Sequence, residues 1–152
     1  MVPRRSHRLS VLVSDDDRSV LEAVVELLGG LELEVGLQIH RAHNGREALT
    51  ILLTCPIDLS ILDVHMPDMT GLEVMRRYLA GSLQAFPGGV ASRVARPRLP
   101  AIFMSGEADD EIRAEVDALG LLLVDKPFHP DVMRAEVRRA LFDGPNRSGR
   151  FD

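Results

Sequence analysis

Five short apolar runs, each followed by a stretch of helical spacing, restrict this chain more than any other feature. They are Leu9–Val13, residues 35–42 (VGLQIHRA), residues 57–63 (IDLSILD), residues 101–106 (AIFMSG) and residues 121–125 (LLLVD). After the first, Val20, Val24, Leu27 and Leu28 recur at helical spacing until Gly29 and Gly30. After the second, Asn44 stands as a helix N-cap, Ala48, Leu49, Leu52 and Leu53 share a face, and Pro56 closes the segment. A helix from about Gly71 to Leu79 follows the third run, and "EADDEIRAEVDALG" forms an amphipathic helix stopped at Gly120 after the fourth. The last helix starts at His129 and turns Val132, Met133, Val137, Ala140 and Leu141 inward. Strand and helix alternate five times, which predicts an α/β domain with a parallel sheet covered on both faces.

In such sheets, sites form beyond the carboxyl ends of the strands. Asp15, Asp16 and Asp17 stand at the end of the first predicted strand, Asp63 ends the third, Ser105 ends the fourth and Lys126 follows the fifth. Polar groups far apart in sequence therefore share one sheet edge. Clustered carboxylates in a partly dry crevice are costly unless a cation joins them. With no His or Cys beside them, they suit a hard, oxygen-loving ion, and Mg²⁺ fits best because it takes a few carboxylates and keeps water and phosphate oxygens. An aspartate beside Mg²⁺ can attack phosphorus, while a lysine and a hydroxyl hold the phosphoryl oxygens. Of the 18 lysines and arginines, Lys126 alone is a lysine. A compact ammonium differs from a planar guanidinium, so a lysine kept only here points to a steric requirement.

Composition narrows the rest. Apolar residues make up 45% of the chain and Trp is absent, so Leu, Val, Ile and Met must build the core. The formal charge of −5 argues against nucleic acid as a partner. A single cysteine, Cys55, permits no internal disulfide, and its apolar neighbours predict a buried thiol. "MVPRRSHR" is basic, but no apolar h-region follows it, and no apolar run approaches membrane-spanning length. These features predict a cytoplasmic protein with no membrane association. His40 and His43 fall on opposite faces of a strand, and Met66, Met69, Met75 and Met104 read as packing, so neither group is taken for a metal site.

The segments "VLVSDDDRSV", "DLSILDVHMPDMTGLEVM", "AIFMSG" and "DKPF", in this order over roughly Leu9 to Phe142, resemble the receiver domain of two-component response regulators. The resemblance implies a doubly wound, five-stranded (βα)5 flavodoxin-like fold. It implies that Asp63 accepts a phosphoryl group from a histidine kinase or histidine phosphotransfer protein. Asp15 and Asp16 would hold Mg²⁺, Asp16 more directly, together with Asp63 and the backbone carbonyl of His65. Ser105 would supply the switch hydroxyl and Lys126 would pair with the phosphate, with Lys126–Pro127 a cis peptide. His65 and Glu107 hold positions that modulate phosphoryl lifetime in the family. Asp17 is read as a helix N-terminal acid. The protein would be a switch rather than an enzyme, limited to self-phosphorylation and slow autodephosphorylation, and it would act on a downstream protein. The helix 4–strand 5–helix 5 face is the family's usual output and dimer surface, with Arg113, Arg138 and Arg139 near it.

The chain also departs from the family pattern. Leu123 stands three positions before Lys126, where receivers carry an aromatic ring, and Gly120 to Lys126 is one residue short of the usual spacing. A leucine cannot turn inward as that ring does, which predicts weak coupling from Ser105 to the output face. Residues 80–99 form an insertion carrying Arg93, Arg96 and Arg98, read as a solvated loop or a docking loop for an acidic partner. The boundaries expected are a basic extension over 1–8, the receiver over 9–142 and a loose tail over 143–152. The short stretch after Phe142 predicts a stand-alone receiver or a fragment cut from a longer chain. Two other readings compete. A degenerate receiver would dock partners without phosphorylation. A haloacid dehalogenase-type phosphatase would read "DDDRS" as D-x-D-x-S, with Asp15 as nucleophile and Asp17 as acid/base. That enzyme class needs an acidic pair after the lysine, whereas the acids that follow, such as Asp131, Glu136 and Asp143, are scattered, and "LDVHMPDMTG" stays unexplained.

Overall fold

The structure, a computed structural model, describes residues 8–83 and 99–143. Its elements run β1 (Leu9–Ser14), α1 (Arg18–Gly29), β2 (Leu37–Ala42), α2 (Gly45–Thr54), β3 (Leu59–Asp63), α3 (Gly71–Leu83), β4 (Ala101–Ser105), α4 (Asp110–Ala118), β5 (Leu122–Asp125) and α5 (Pro130–Arg138). A π-type turn over Arg139–Asp143 extends α5. The five strands pair in parallel in the order β2-β1-β3-β4-β5, so the expected doubly wound (βα)5 sheet is what the chain forms.

The central, mostly apolar strands β1, β3 and β4 still obey the twofold alternation of side chains. Leu12, Leu62 and Phe103 face one layer, where they meet Leu52, Met75, Tyr78 and Val116 from α2, α3 and α4. Val11, Val13, Ile61, Ile102 and Met104 face the other layer, packed by Leu21, Val24 and Leu28 of α1 and Met133 and Val137 of α5. Burial of each such side chain contributes about 1.5–3 kcal/mol. Two buried layers explain why the strands read as continuous apolar runs rather than as alternating ones.

The helix starts follow from local chemistry. Asp17 caps α1 by accepting from Ser19 N at 2.9 Å. Asn44 caps α2 by accepting from Glu47 N at 2.8 Å, while Glu47 Oε2 accepts from His43 N at 2.7 Å. Asp109 caps α4, and His129 caps α5 ahead of Pro130.

Several sequence expectations need correction. The third helix does not end at Leu79, because α3 continues to Leu83. Gly81 is tolerated inside that helix, and the rest of the insertion, residues 84–98 with its three arginines, lies outside the described residues, as do 1–7 and 144–152. Val132 is half exposed rather than inward, because Met133 and Val137 define the buried stripe and Val132 is one residue, about 100°, off it. Cys55 is only partly buried, since it sits at the C-terminal cap of α2 rather than inside the helix face. β2 starts at Leu37 and not at Val35, because Leu9 N donates to Gly36 O at 3.0 Å and the ladder opens there.

Candidate phosphoacceptor site

The parallel strands carry the predicted residues to one sheet edge. β1 ends at Ser14, which leaves Asp15 wholly buried and Asp16 exposed at the rim. One Asp15 oxygen accepts from Asp17 N at 2.9 Å, so the start of α1 fixes that carboxylate. β3 ends on Asp63, which is 4% exposed. The carboxylates of Asp15, Asp16 and Asp63 each place an oxygen within 4.8 Å of the others. Among the described residues, no other His, Cys, Asp or Glu joins this group; His40 and His43 stand apart from it.

Lys126 arrives from beyond β5, and its N–H donates to Ser105 O at 2.8 Å. The Lys126–Pro127 peptide is cis, as expected. The Lys126 ammonium lies 2.8 Å from Asp15 Oδ2 and 3.2 Å from Asp63 Oδ1. Ser105 is buried at the end of β4, where its Oγ accepts from Glu107 N at 3.1 Å. His65 N–H reaches toward Asp63 Oδ1 at 3.4 Å, while its side chain is exposed. Glu107 is exposed on the loop that leaves β4. Asp15, Asp16, Asp63, His65, Ser105, Glu107 and Lys126 therefore lie at this edge, with Asp15, Asp16, Asp63 and Lys126 in closest association.

The electrostatics are lopsided. Three carboxylates face one ammonium, and two of the carboxylates are buried. Burial, and then the neighbouring Asp15 charge, push Asp63 up to about 6 against the pull of Lys126. Burial acts to lower Lys126, but its hydrogen bond and charge pairing with Asp15 and its pairing with Asp63 hold it above the ordinary lysine value. The site is thus short of positive charge, and its donors are all hard oxygens. That deficit fits a divalent cation of the Mg²⁺ type.

A pH dependence follows. Asp63 keeps in the folded state a proton that it loses near pH 4 when unfolded, so metal-free stability should fall as pH rises from about 4 to 6. Asp63→Asn should relieve this penalty and raise metal-free stability near pH 7.5 by about 1–2 kcal/mol. Denaturant melts in EDTA at pH 5 and pH 7.5 measure both. A mutant less stable than wild type at pH 7.5 would contradict the charge imbalance.

One contributor escaped the sequence reading. Asp68, in the β3–α3 loop, accepts from Gly45 N at 3.0 Å and Arg46 N at 2.9 Å, capping α2 from 22 residues away. Nothing in the sequence spacing links it to α2. "DMTGLE" reads equally well as the local approach to α3, a role that Thr70 fills by accepting from Glu73 N at 3.1 Å.

A doubly wound sheet with an acidic triad and a lysine at its carboxyl edge is the arrangement this chain presents. The chain belongs to the response regulator receiver domain family, whose model matches residues 11–138. Among full-length relatives it is 31% identical to the response regulator protein TodT of Pseudomonas putida, over 93% of this chain and 56% of that protein. It is 29% identical to the transcriptional regulatory protein DltR of Streptococcus agalactiae, over 86% of this chain and 50% of that protein. The chain thus spans about half the length of these relatives. Among solved structures, the chemotaxis protein CheY4 of Vibrio cholerae superposes with a TM-score of 0.66 at 28% identity, covering 89% of this chain and 100% of that one. A CheY-like receiver domain from Methanospirillum hungatei shares the fold with a TM-score of 0.71 at 20% identity, covering 94% of this chain and 100% of that one. No described helix is long and apolar enough to cross a membrane.

Proposed function

We propose that Asp63 is the phosphoacceptor and that its phosphorylation by a histidine kinase or histidine phosphotransfer protein switches binding of a downstream protein. The observation that carries this reading is the Lys126 ammonium set between Asp15 and Asp63, with Asp16 at the rim. An Asp63 oxygen attacks phosphorus, the bond from phosphorus to the donor's histidine nitrogen breaks, and the imidazole leaves with a proton. Lys126 then turns its ammonium to the new phosphoryl oxygens, which replace the Asp63 charge it already faces. Ser105 Oγ accepts from Glu107 N–H, and its own proton would be donated to a phosphoryl oxygen. Asp15, Asp16, Asp63 and the His65 carbonyl would hold Mg²⁺, which neutralises charge on the phosphoryl group. Water attack on phosphorus returns the Asp63 carboxylate and inorganic phosphate, and exposed His65 and Glu107 modulate that step from the mouth of the site. The chain acts as a switch with only this self-phosphorylation and slow autodephosphorylation chemistry. We place it in the cytoplasm.

Leu123 is half-buried against the layer that holds α4, so it reports motion of Ser105 less directly than a ring would. Output or dimerisation through the α4–β5–α5 face would run instead through polar contacts such as Arg113 to Asp125 at 2.7 Å. Arg139 pairs with Glu136 on α5, while Arg138 lines a separate cavity with Glu34, Val35 and Phe142. Amide NMR with Mg²⁺ and beryllofluoride, a phosphoryl mimic, tests the switch. Saturable shifts are expected at residues around Asp63, Ser105 and Lys126, with smaller shifts on α4. No shifts at the three site positions would leave a degenerate receiver, and large shifts across α4 would defeat the weak coupling assigned to Leu123.

A further inference from the structure

The acceptor loop, residues 64–70, is tied to α2 by contacts that capping of α2 alone does not require. A helix N-terminus leaves its first N–H groups without intrahelical partners. Here Asn44 serves Glu47 N through its side chain and Ala48 N through its carbonyl. Gly45 N and Arg46 N, two donors that the helix itself leaves open, go to the carboxylate of Asp68, which belongs to the acceptor loop. Two further contacts join the same pair of segments. A Cβ at Gly45 would lie 2.5 Å from Met69 O, so only glycine lets the loop backbone approach this closely. Ser14 Oγ, one residue before Asp15, lies 3.2 Å from Met66 Sδ and 3.4 Å from Asn44 O, bridging the loop, the start of α2 and β1. The loop is also closed on itself by Gly71 N to Val64 O at 3.0 Å. His65 lies inside this closed loop, and its N–H reaches back to the Asp63 carboxylate.

We infer that Asp68 is a positioning residue for the cation and phosphoryl site, acting by clamping the acceptor loop to the N-terminus of α2 so that the His65 carbonyl and Asp63 share one fixed geometry. The inference rests on the phosphoacceptor reading of Asp63. Asp68 is exposed and touches neither the acid cluster nor Lys126, so its effect must travel through the loop backbone. Groups that orient metal ligands from outside commonly alter metal affinity about 10–100-fold when removed, and this one acts through two peptide groups, so a loss near the lower end is expected.

The test compares wild type with Asp68→Ala, Asp68→Asn and Asn44→Ala. Asn44→Ala removes a cap from the same helix without touching the loop and serves as the control for simple helix destabilisation. Mg²⁺ affinity is read directly from the His65 amide shift during Mg²⁺ titration, and hydrogen exchange is read at Gly45, Arg46 and His65 in EDTA. Asp68→Ala should weaken Mg²⁺ binding about 10-fold and speed exchange at all three amides. Asp68→Asn, which keeps neutral acceptor capacity, should fall between it and wild type. Asn44→Ala should leave Mg²⁺ affinity within about twofold of wild type, since its side chain caps only Glu47 N. Equal losses in Asp68→Ala and Asn44→Ala, or no loss in Asp68→Ala, would overturn the positioning role while leaving the acceptor assignment intact. Absence of saturable Mg²⁺ binding in wild type would instead defeat the reading on which the inference rests.

Discussion

Lys126→Met is expected to lower metal-free stability at pH 7.5 by about 3 kcal/mol, an effect that Mg²⁺ should largely reverse. The side chain is mostly buried, and its ammonium is the cation seen against the wholly buried Asp15. Removing one partner of a buried pair leaves the other charged in a poor solvent, which costs more than the intact pair contributes. A second carboxylate, Asp63, loses its attraction to Lys126 at the same time and is driven further toward the protonated form. Acid should therefore partly rescue the variant, because protonation of Asp63 removes one uncompensated charge, whereas raising pH through about 6 should deepen the defect. Lys126→Arg should rescue poorly, since a planar guanidinium cannot occupy the same point between two carboxylates. Urea melts with and without Mg²⁺, at pH 5 and pH 7.5, separate these outcomes. A loss below about 0.5 kcal/mol in EDTA would place the pair among ordinary solvated ion pairs.

Gly71→Ala is the second large effect. Its new Cβ would lie 2.5 Å from Asp63 O and 3.2 Å from Asp63 C, and 3.3 Å from Leu62 Cβ. The obstruction is main chain at the end of a central strand, so no flexible side chain can move aside. The expected cost is about 2–3 kcal/mol, within the range for overpacking in a dense interior. Relief by backbone movement would displace Asp63, so labelling at this proposed phosphoacceptor should fall along with stability. Gly29→Ala is the matched contrast, because nothing lies within 4 Å of a Cβ there. It should be neutral or stabilising by up to about 1 kcal/mol, through the lower entropy of the unfolded chain. Melting curves for the two variants, with phosphoryl labelling of each, check the pair. A Gly71→Ala protein of wild-type stability and labelling would show that the start of α3 can yield.

Where the sequence was easiest to interpret, the physics was local or strongly periodic. Strands buried on both faces give apolar runs, and acids directly after such runs can only lie at the carboxyl edge. That is why Asp15, Asp16, Asp63, Ser105 and Lys126 could be brought together before any coordinates. The Asn44 cap was equally legible, because a cap bonds within a few residues of itself. The errors fall where neighbours in space decide. α3 runs past Leu79 because Gly81 interrupts a helix less than its composition suggests. Val132 shares the apolar character of Met133 but not its direction, and the helical stripe is too narrow to hold both. Cys55 has apolar neighbours in sequence yet caps a helix at the surface of the core. Asp68 was invisible for the opposite reason, since its partners are the N–H groups of a distant helix, and main-chain donors leave no mark in a sequence.

The assignment of Asp63 is tested most directly by intact mass. Wild type and Asp63→Asn are incubated with Mg²⁺ and acetyl phosphate, then quenched and weighed, with peptide mapping of any adduct. One labile phosphoryl group on wild type and none on Asp63→Asn is the predicted result. An adduct that persists in Asp63→Asn and maps to Asp15 would contradict the account and point to a phosphatase-type nucleophile. No adduct on wild type, under conditions that label a control receiver, would make this chain a docking module with the site but not the chemistry of its family.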